Sequence, residues 1–265
     1  MDFLGPILMV VVAVLGIIGA IYGAMADRKR VQELEGWAHL GGWAFNPAKY
    51  DVPGLAFDLF KQGHSRWSRF HMTKTFDEVT PGLSEMGVRL FEYHYAETTG
   101  SGKDRRTHHY YFTCGVVNSG CDLGRVVIRD EHWGDKLVQA IGFDDIDLED
   151  AQFSGKFVVN APERKDAYDL LGHGLMRFLV RNGGWRIETK GDILFVYDRG
   201  RMHAQDCHRL ERFLCGFLAQ VPRTMVNAER ARRGLEPIME AGEASRQSRE
   251  SLTRLESGGF RADET

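Results

Sequence analysis

The sequence predicts an α+β fold: a single N-terminal transmembrane helix, followed by one domain in which a mostly antiparallel β-sheet is packed by two or three helices. Three observations carry that prediction. The run from Phe3 to Ala26 contains no charged residue, and at about 1.5 Å of rise per residue it is long enough to cross a hydrocarbon core of roughly 30 Å. Val88–Tyr95 and His108–Val117 are alternating, aromatic-rich runs on either side of a polar, glycine-containing loop, the pattern of a hairpin. Ala204–Gln220 sets Cys207, Leu210, Leu214 and Phe217 on one helical stripe. The organisation expected is an anchor over residues 1–27, a juxtamembrane helix over 28–42, a soluble domain over 43–226 and a polar, disordered tail over 227–265.

The length beyond the anchor suffices for one domain with a substantial core. A formal net charge of −3 over 265 residues provides no basic field, so nucleic acid is excluded as a partner. The 4 cysteines include no C-x₂-C pair, which argues against a zinc knuckle or a thioredoxin-like motif and for reduced thiols. In an oxidising compartment, Cys114 and Cys121 are the pair to test for a bridge.

No Lys or Arg precedes the apolar run, and Asp27-Arg28-Lys29-Arg30 follows it. The side richer in Lys and Arg stays in the cytoplasm, so the N-terminus is expected outside and the domain inside. The missing basic n-region and the length of the run favour retention over cleavage, although Ala24-Met25-Ala26 has the form of a signal-peptidase site. Gly19 and Gly23 form a GxxxG face that lets two such helices approach closely, which points to a homodimer through the membrane helix. Beyond the anchor, Val31, Leu34 and Ala38 or Trp37 share a helical face until Gly41-Gly42 stops it. Trp37 and Trp43 are expected to pack on the domain rather than in the headgroup layer.

Asn46-Pro47 and Val52-Pro53-Gly54 punctuate a loop, and Gly63-His64-Ser65-Arg66 reads as a turn ahead of an edge strand over Trp67–Lys74. Neighbours in a strand point to opposite faces, so His64 is not expected to serve Ser65 as a base. In the hairpin, symmetric pairing sets Tyr95 opposite Tyr110, Tyr93 opposite Phe112 and Phe91 opposite Cys114 on an apolar face. Glu92, His94, His109, Tyr111 and Thr113 occupy the other face. Next come a strand over Cys121–Ile128 and a short helix over His132–Gly142. Phe143–Asp150 is not a calcium loop, because Asp150 and Lys156 stand where glycine and glutamate are required; Ile146 and Leu148 point inward instead. A strand over Phe153–Asn160, a helix over Glu163–Val180 opened by Pro162, and a hairpin over Trp185–Tyr197 turning at Gly191 precede the last helix and Pro222.

Several of these stretches resemble an uncharacterised bacterial family of small membrane-anchored proteins carrying a domain of unknown function. They are Gly63-His64-Ser65-Arg66, FEYHYAETTGSGKDRRTHHYYF (Phe91 to Phe112), GFDDIDLEDAQFSGKFVV (Gly142 to Val159), Tyr168-Asp169-Leu170-Leu171 and Asp192–Tyr197. The resemblance covers Trp37 to Pro222. It implies a bacterial, membrane-tethered domain and brings no catalytic residue.

The function expected is therefore a membrane-tethered, non-enzymatic binding or interaction module with an unknown protein partner and no cofactor. The alternative is a metal-dependent enzyme or metal-binding domain, in which Glu92, His94 and His109 supply a carboxylate and two imidazoles from the polar hairpin face. A third reading takes Arg28, Lys29, Arg30, Lys103, Arg105 and Arg106 as contacts for anionic lipid.

Overall fold

The computed structural model describes residues 4–51, 54–76, 86–130, 146 and 148–238. Helix α1, Leu4–Leu40, is continuous through the anchor and the juxtamembrane stretch. In its first half, among the described residues, Leu15, Ile17, Tyr22 and Met25 are all exposed, and the helix is long and apolar enough to cross a membrane. In its second half, Arg30, Leu34 and Ala38 recur every four residues and are buried. Gly42, at φ 68°, closes the helix. There the Trp43 N–H returns to the Ala38 carbonyl at 2.8 Å and the Gly42 N–H to that of His39 at 3.3 Å, satisfying carbonyls that the helix end would leave unpaired. Trp43 sits 5.6 Å from Trp37 and 5.9 Å from Phe76 between ring centroids, so both tryptophans pack on the domain as expected.

The sheet comprises β1 (Ala44–Asn46), β2 (His64–Phe76), β3 (Met86–Thr99), β4 (Arg106–Asn118), β5 (Val127–Asp130), β6 (Phe157–Asn160), β7 (Arg186–Lys190) and β8 (Ile193–Arg199). Its order is β1-β2-β3-β4-β8-β7-β5-β6, and each neighbouring pair is antiparallel. The β3–β4 register is the one read from the sequence, with Phe91 opposite Cys114, Tyr93 opposite Phe112 and Tyr95 opposite Tyr110. Strand β2 is not at the edge, because β1 covers it. It is also irregular, with bulges after His64 and Arg69 and with Ser65 and Phe70 at φ 51° and 58°.

Alternation in the strands divides the core in two. Leu90, Val117, Ile187, Leu194 and Val196 face a core shared with the second half of α1. Into the same core pack α2 (Ala151–Ser154), α3 (Arg164–Leu170), α4 (His173–Asn182), α5 (Ala204–Leu218) and α6 (Arg223–Arg232). Helix α5 lies close over β4 because Gly115 has no side chain there; a Cβ would stand 2.9 Å from Leu214 and 3.0 Å from Leu210. On the opposite face, Phe91, Tyr93, Phe112, Phe195 and Tyr197 form an aromatic layer under Phe57, Leu59 and Phe60.

Besides β2, four elements differ from the sequence reading. The strand expected over Cys121–Ile128 begins only at Val127, as β5, because the Leu123 amide is turned to the Gly191 carbonyl at 2.8 Å. The strand expected from Phe153 starts at Phe157, because Asp150 accepts hydrogen bonds from the Gln152 and Phe153 amides at 3.0 Å and caps α2. The helix expected over Glu163–Val180 breaks at Leu171-Gly172 into α3 and α4, while Leu170, Leu171 and Leu175 stay buried on both sides of the break. Helix α6 runs across Asn227, where the tail was expected to begin; the Asn227 side chain bonds the Ile238 amide and carbonyl at 2.8 and 3.3 Å. The helix expected over His132–Gly142 lies outside the described residues.

Candidate functional site

The polar face of the β3–β4 hairpin separates into two parts with different chemistry. Glu92 is fully buried and accepts hydrogen bonds from Arg30 Nη1 at 2.8 Å and from the Met202 amide at 2.9 Å. The Ala204 amide donates to Glu33 Oε1 at 2.9 Å, and Arg69 forms a two-pronged pair with Asp27 at 2.9 Å. Together these bonds fasten α1 to the sheet and to the start of α5. Glu92 is a structural tie in this arrangement, and among the described residues no group of three or more His, Cys, Asp or Glu is placed to hold a metal ion.

The other two residues of the expected metal set do come together. His94 Nδ1 lies 3.1 Å from the Ser65 carbonyl, and His94 Nε2 lies 3.0 Å from His109 Nδ1. A carbonyl can only accept, so His94 donates from Nδ1, and its Nε2 accepts from His109 Nδ1–H. His109 itself is exposed. Burial lowers the His94 pKa, and the positive charges of Lys49 and Arg201 act in the same direction.

Around this pair is an open cleft of about 670 Å³ lined by Lys49, Tyr50, Asp51, Ser65, Arg66, Trp67, His94 and His109. Trp67 stacks on His94 with centroids 4.5 Å apart. Lys49 Nζ sits 4.4 Å over the Trp67 ring and the Arg201 guanidinium 4.1 Å over Tyr111. Arg66 donates to the Phe60 carbonyl at 2.9 Å. Among the described residues none of these three cations forms an ion pair. The sequence signal for the cleft is weak, because Lys49, Trp67 and Arg201 are far apart in the chain: the bulged start of β2 places Trp67, while the pairing of β8 with β4 brings Arg201 over Tyr111.

That start of β2 also corrects the reading of Gly63-His64-Ser65-Arg66. The left-handed φ of Ser65 turns its side chain back, and His64 Nδ1 lies 3.0 Å from Ser65 Oγ. The other His64 nitrogen meets the Thr98 hydroxyl at 2.9 Å rather than a carboxylate, so no negative charge is aligned to stabilise an imidazolium. The thiols offer no activated nucleophile either. All four cysteines are free, and burial pushes Cys114, Cys207 and Cys215 up and Cys121 to about 11.

Two contacts fix the direction of the sheet relative to the anchor. Arg30 meets Glu92 in the middle of β3, whereas Trp43, beyond the end of α1, meets Phe76, which pairs with Met86 at the start of β3. Strand β3 therefore runs back toward the N-terminal half of α1. The exposed tip residues Lys103, Arg105 and Arg106 lie on that side, some 20 Å of strand beyond Glu92 at about 3.3 Å per residue. Arg28 and Lys29 are exposed, but Arg30 is buried against Glu92 and is withdrawn from any surface contact. Gly19 and Gly23 have open space where a side chain would stand.

No family model and no curated protein matches the chain. The crystal structure of the mycobacterial trehalose monomycolate transport factor A, TtfA, is similar at a TM-score of 0.47 and 10% identity, over 79% of this chain and 97% of that one. That likeness is too distant to assign a family or a function.

Proposed function

We propose that the chain is a membrane-tethered, non-enzymatic interaction module that holds its sheet in a fixed attitude at the bilayer surface. The observation that carries this reading is that anchor and domain share one helix: α1 emerges from its exposed apolar half directly into the buried Arg30–Glu92 pair. A flexible linker between span and domain would allow any orientation, and this continuous helix allows few. The positive-inside rule places the domain in the cytoplasm, with Arg28 and Lys29 at the exit of the span and Lys103, Arg105 and Arg106 against anionic lipid.

The test is crosslinking of the full-length protein in its native membrane, followed by mass spectrometry and by metal analysis of the same sample. A reproducible protein partner, and metal below about a tenth of an equivalent, is the expected result; a filled site would be near one equivalent. Stoichiometric metal with no partner would overturn the proposal. Retention is checked separately: the protein should stay in the pellet after alkaline carbonate extraction, with residues 1–26 present in its mass.

A further inference from the structure

We infer that the cleft of Lys49, Arg66, Trp67, His94 and His109 binds the phosphate of an anionic lipid head group. The inference deepens the proposed function and rests on its reading of α1 as a membrane span. The charge pattern is the first argument. Lys49 and Arg66 line the cleft, Arg201 stands over Tyr111 beside His94, and among the described residues Asp51 is the one carboxylate in the lining. His109, an exposed imidazole in the lining, adds a further polar group. At about 670 Å³ the cleft has the size of a small-molecule site.

Position is the second argument, and it selects a lipid over a soluble anion. Arg69 binds Asp27, at the exit of the span, at 2.9 Å and the Pro47 carbonyl at 3.2 Å. Lys49 and Trp67 are each two residues from those anchor points, on the side of β2 that runs toward the bilayer. The cleft thereby lies within a few residues of Asp27, next to the end of the apolar half of α1. Lys49, Tyr50 and Trp67 in its lining, and Tyr111 with Arg201 beside His94, are the types that settle in a headgroup layer, with a ring against apolar matter and a cation beside phosphate. A phosphodiester with its acyl chains directed into the membrane uses the cations and the rings of the lining together, whereas a free ion needs neither the aromatic rings nor the position.

The full-length chain in non-ionic detergent, labelled with nitrogen-15 at histidine, is titrated with dihexanoyl phosphatidylglycerol, dihexanoyl phosphatidylcholine and inorganic phosphate. Phosphatidylglycerol is expected to move the His109 Nε2 resonance and to bind at least about tenfold more tightly than either of the others. Lys49→Glu with Arg201→Glu should weaken it by about tenfold or more. His109→Gln, an exposed site with little bearing on folding, should weaken it severalfold and serves if the double variant does not fold. Equal binding of phosphatidylcholine, equal binding of inorganic phosphate, or indifference to these substitutions overturns the inference. If instead carbonate releases the protein from membranes, the failure is in the reading of α1 and is seen without any titration.

Discussion

Arg30 and Glu92 are 7% and 0% exposed, and removing one charge of such a pair strands the other without solvent. Arg30→Met should therefore cost about 3–5 kcal/mol, read as a fall in the melting temperature of the full-length chain in detergent. Adding Glu92→Gln should restore part of the loss, since the Met202 amide keeps a partner; an unchanged melting temperature in Arg30→Met would show that the pair is not a tie. His71 yields a pH prediction. Burial, reinforced by the charge of Arg89, holds its pKa down at about 4 against 6.5 for a free imidazole. The unfolded chain thus binds a proton that the folded chain refuses between those values, so stability falls as pH drops from about 6.5 to about 4. In His71→Gln that part of the pH dependence should flatten; an identical slope in both proteins would count against the assignment.

At the scale of elements, the contact of α5 with β4 depends on an absent side chain. Gly115→Val places a branched group where even a Cβ comes within 3.0 Å of Leu210 and Leu214. The helix must lift or the leucines must leave their rotamers, at a cost of about 1–3 kcal/mol. Chemical denaturation that gives no change in midpoint would show that α5 yields freely. The start of β2 depends in turn on left-handed backbone at Gly63, φ 54°, where a Cβ would fall 2.3 Å from the Ala96 carbonyl oxygen. Gly63→Ala should displace the Ser65 carbonyl from His94 and disturb the cleft, seen as altered His94 and His109 resonances without global unfolding.

For the whole molecule, the proposed function makes the attitude of the sheet on α1 decide what a membrane would meet. The hairpin tip should be slower in hydrogen exchange in nanodiscs containing phosphatidylglycerol than in phosphatidylcholine alone, and Lys103→Glu with Arg105→Glu and Arg106→Glu should remove the difference. Exchange that ignores lipid charge would leave the tip without a bilayer role. Through the span itself, Gly19→Ile with Gly23→Ile should reduce crosslinked dimer in membranes. Dimer content that stays constant would assign these glycines to ordinary helix composition.

The sequence by itself determined what local patterning controls. An uninterrupted apolar run dictated a helix long and apolar enough to cross a membrane, and alternation about a polar loop dictated the β3–β4 hairpin down to its Phe91–Cys114 register, because slipping a strand by one residue would turn a whole aromatic face to water. The stripe of Cys207, Leu210, Leu214 and Phe217 likewise dictated the buried side of α5. Only the tertiary structure decided which polar residues act together. Glu92 and His94 lie on one face of one strand, yet one is sealed under Arg30 and the other opens into a cleft, because α1 crosses the sheet at Glu92 and leaves it there. His64 and Ser65 met against the rule for strand neighbours through one left-handed residue, Trp67 reached His94 through the irregular start of β2, and Arg201 reached Tyr111 through the pairing of β8 with β4. Periodicity encodes which side of an element is buried; where two elements cross, and at which residue a strand departs from regularity, depends on packing between segments far apart in the chain.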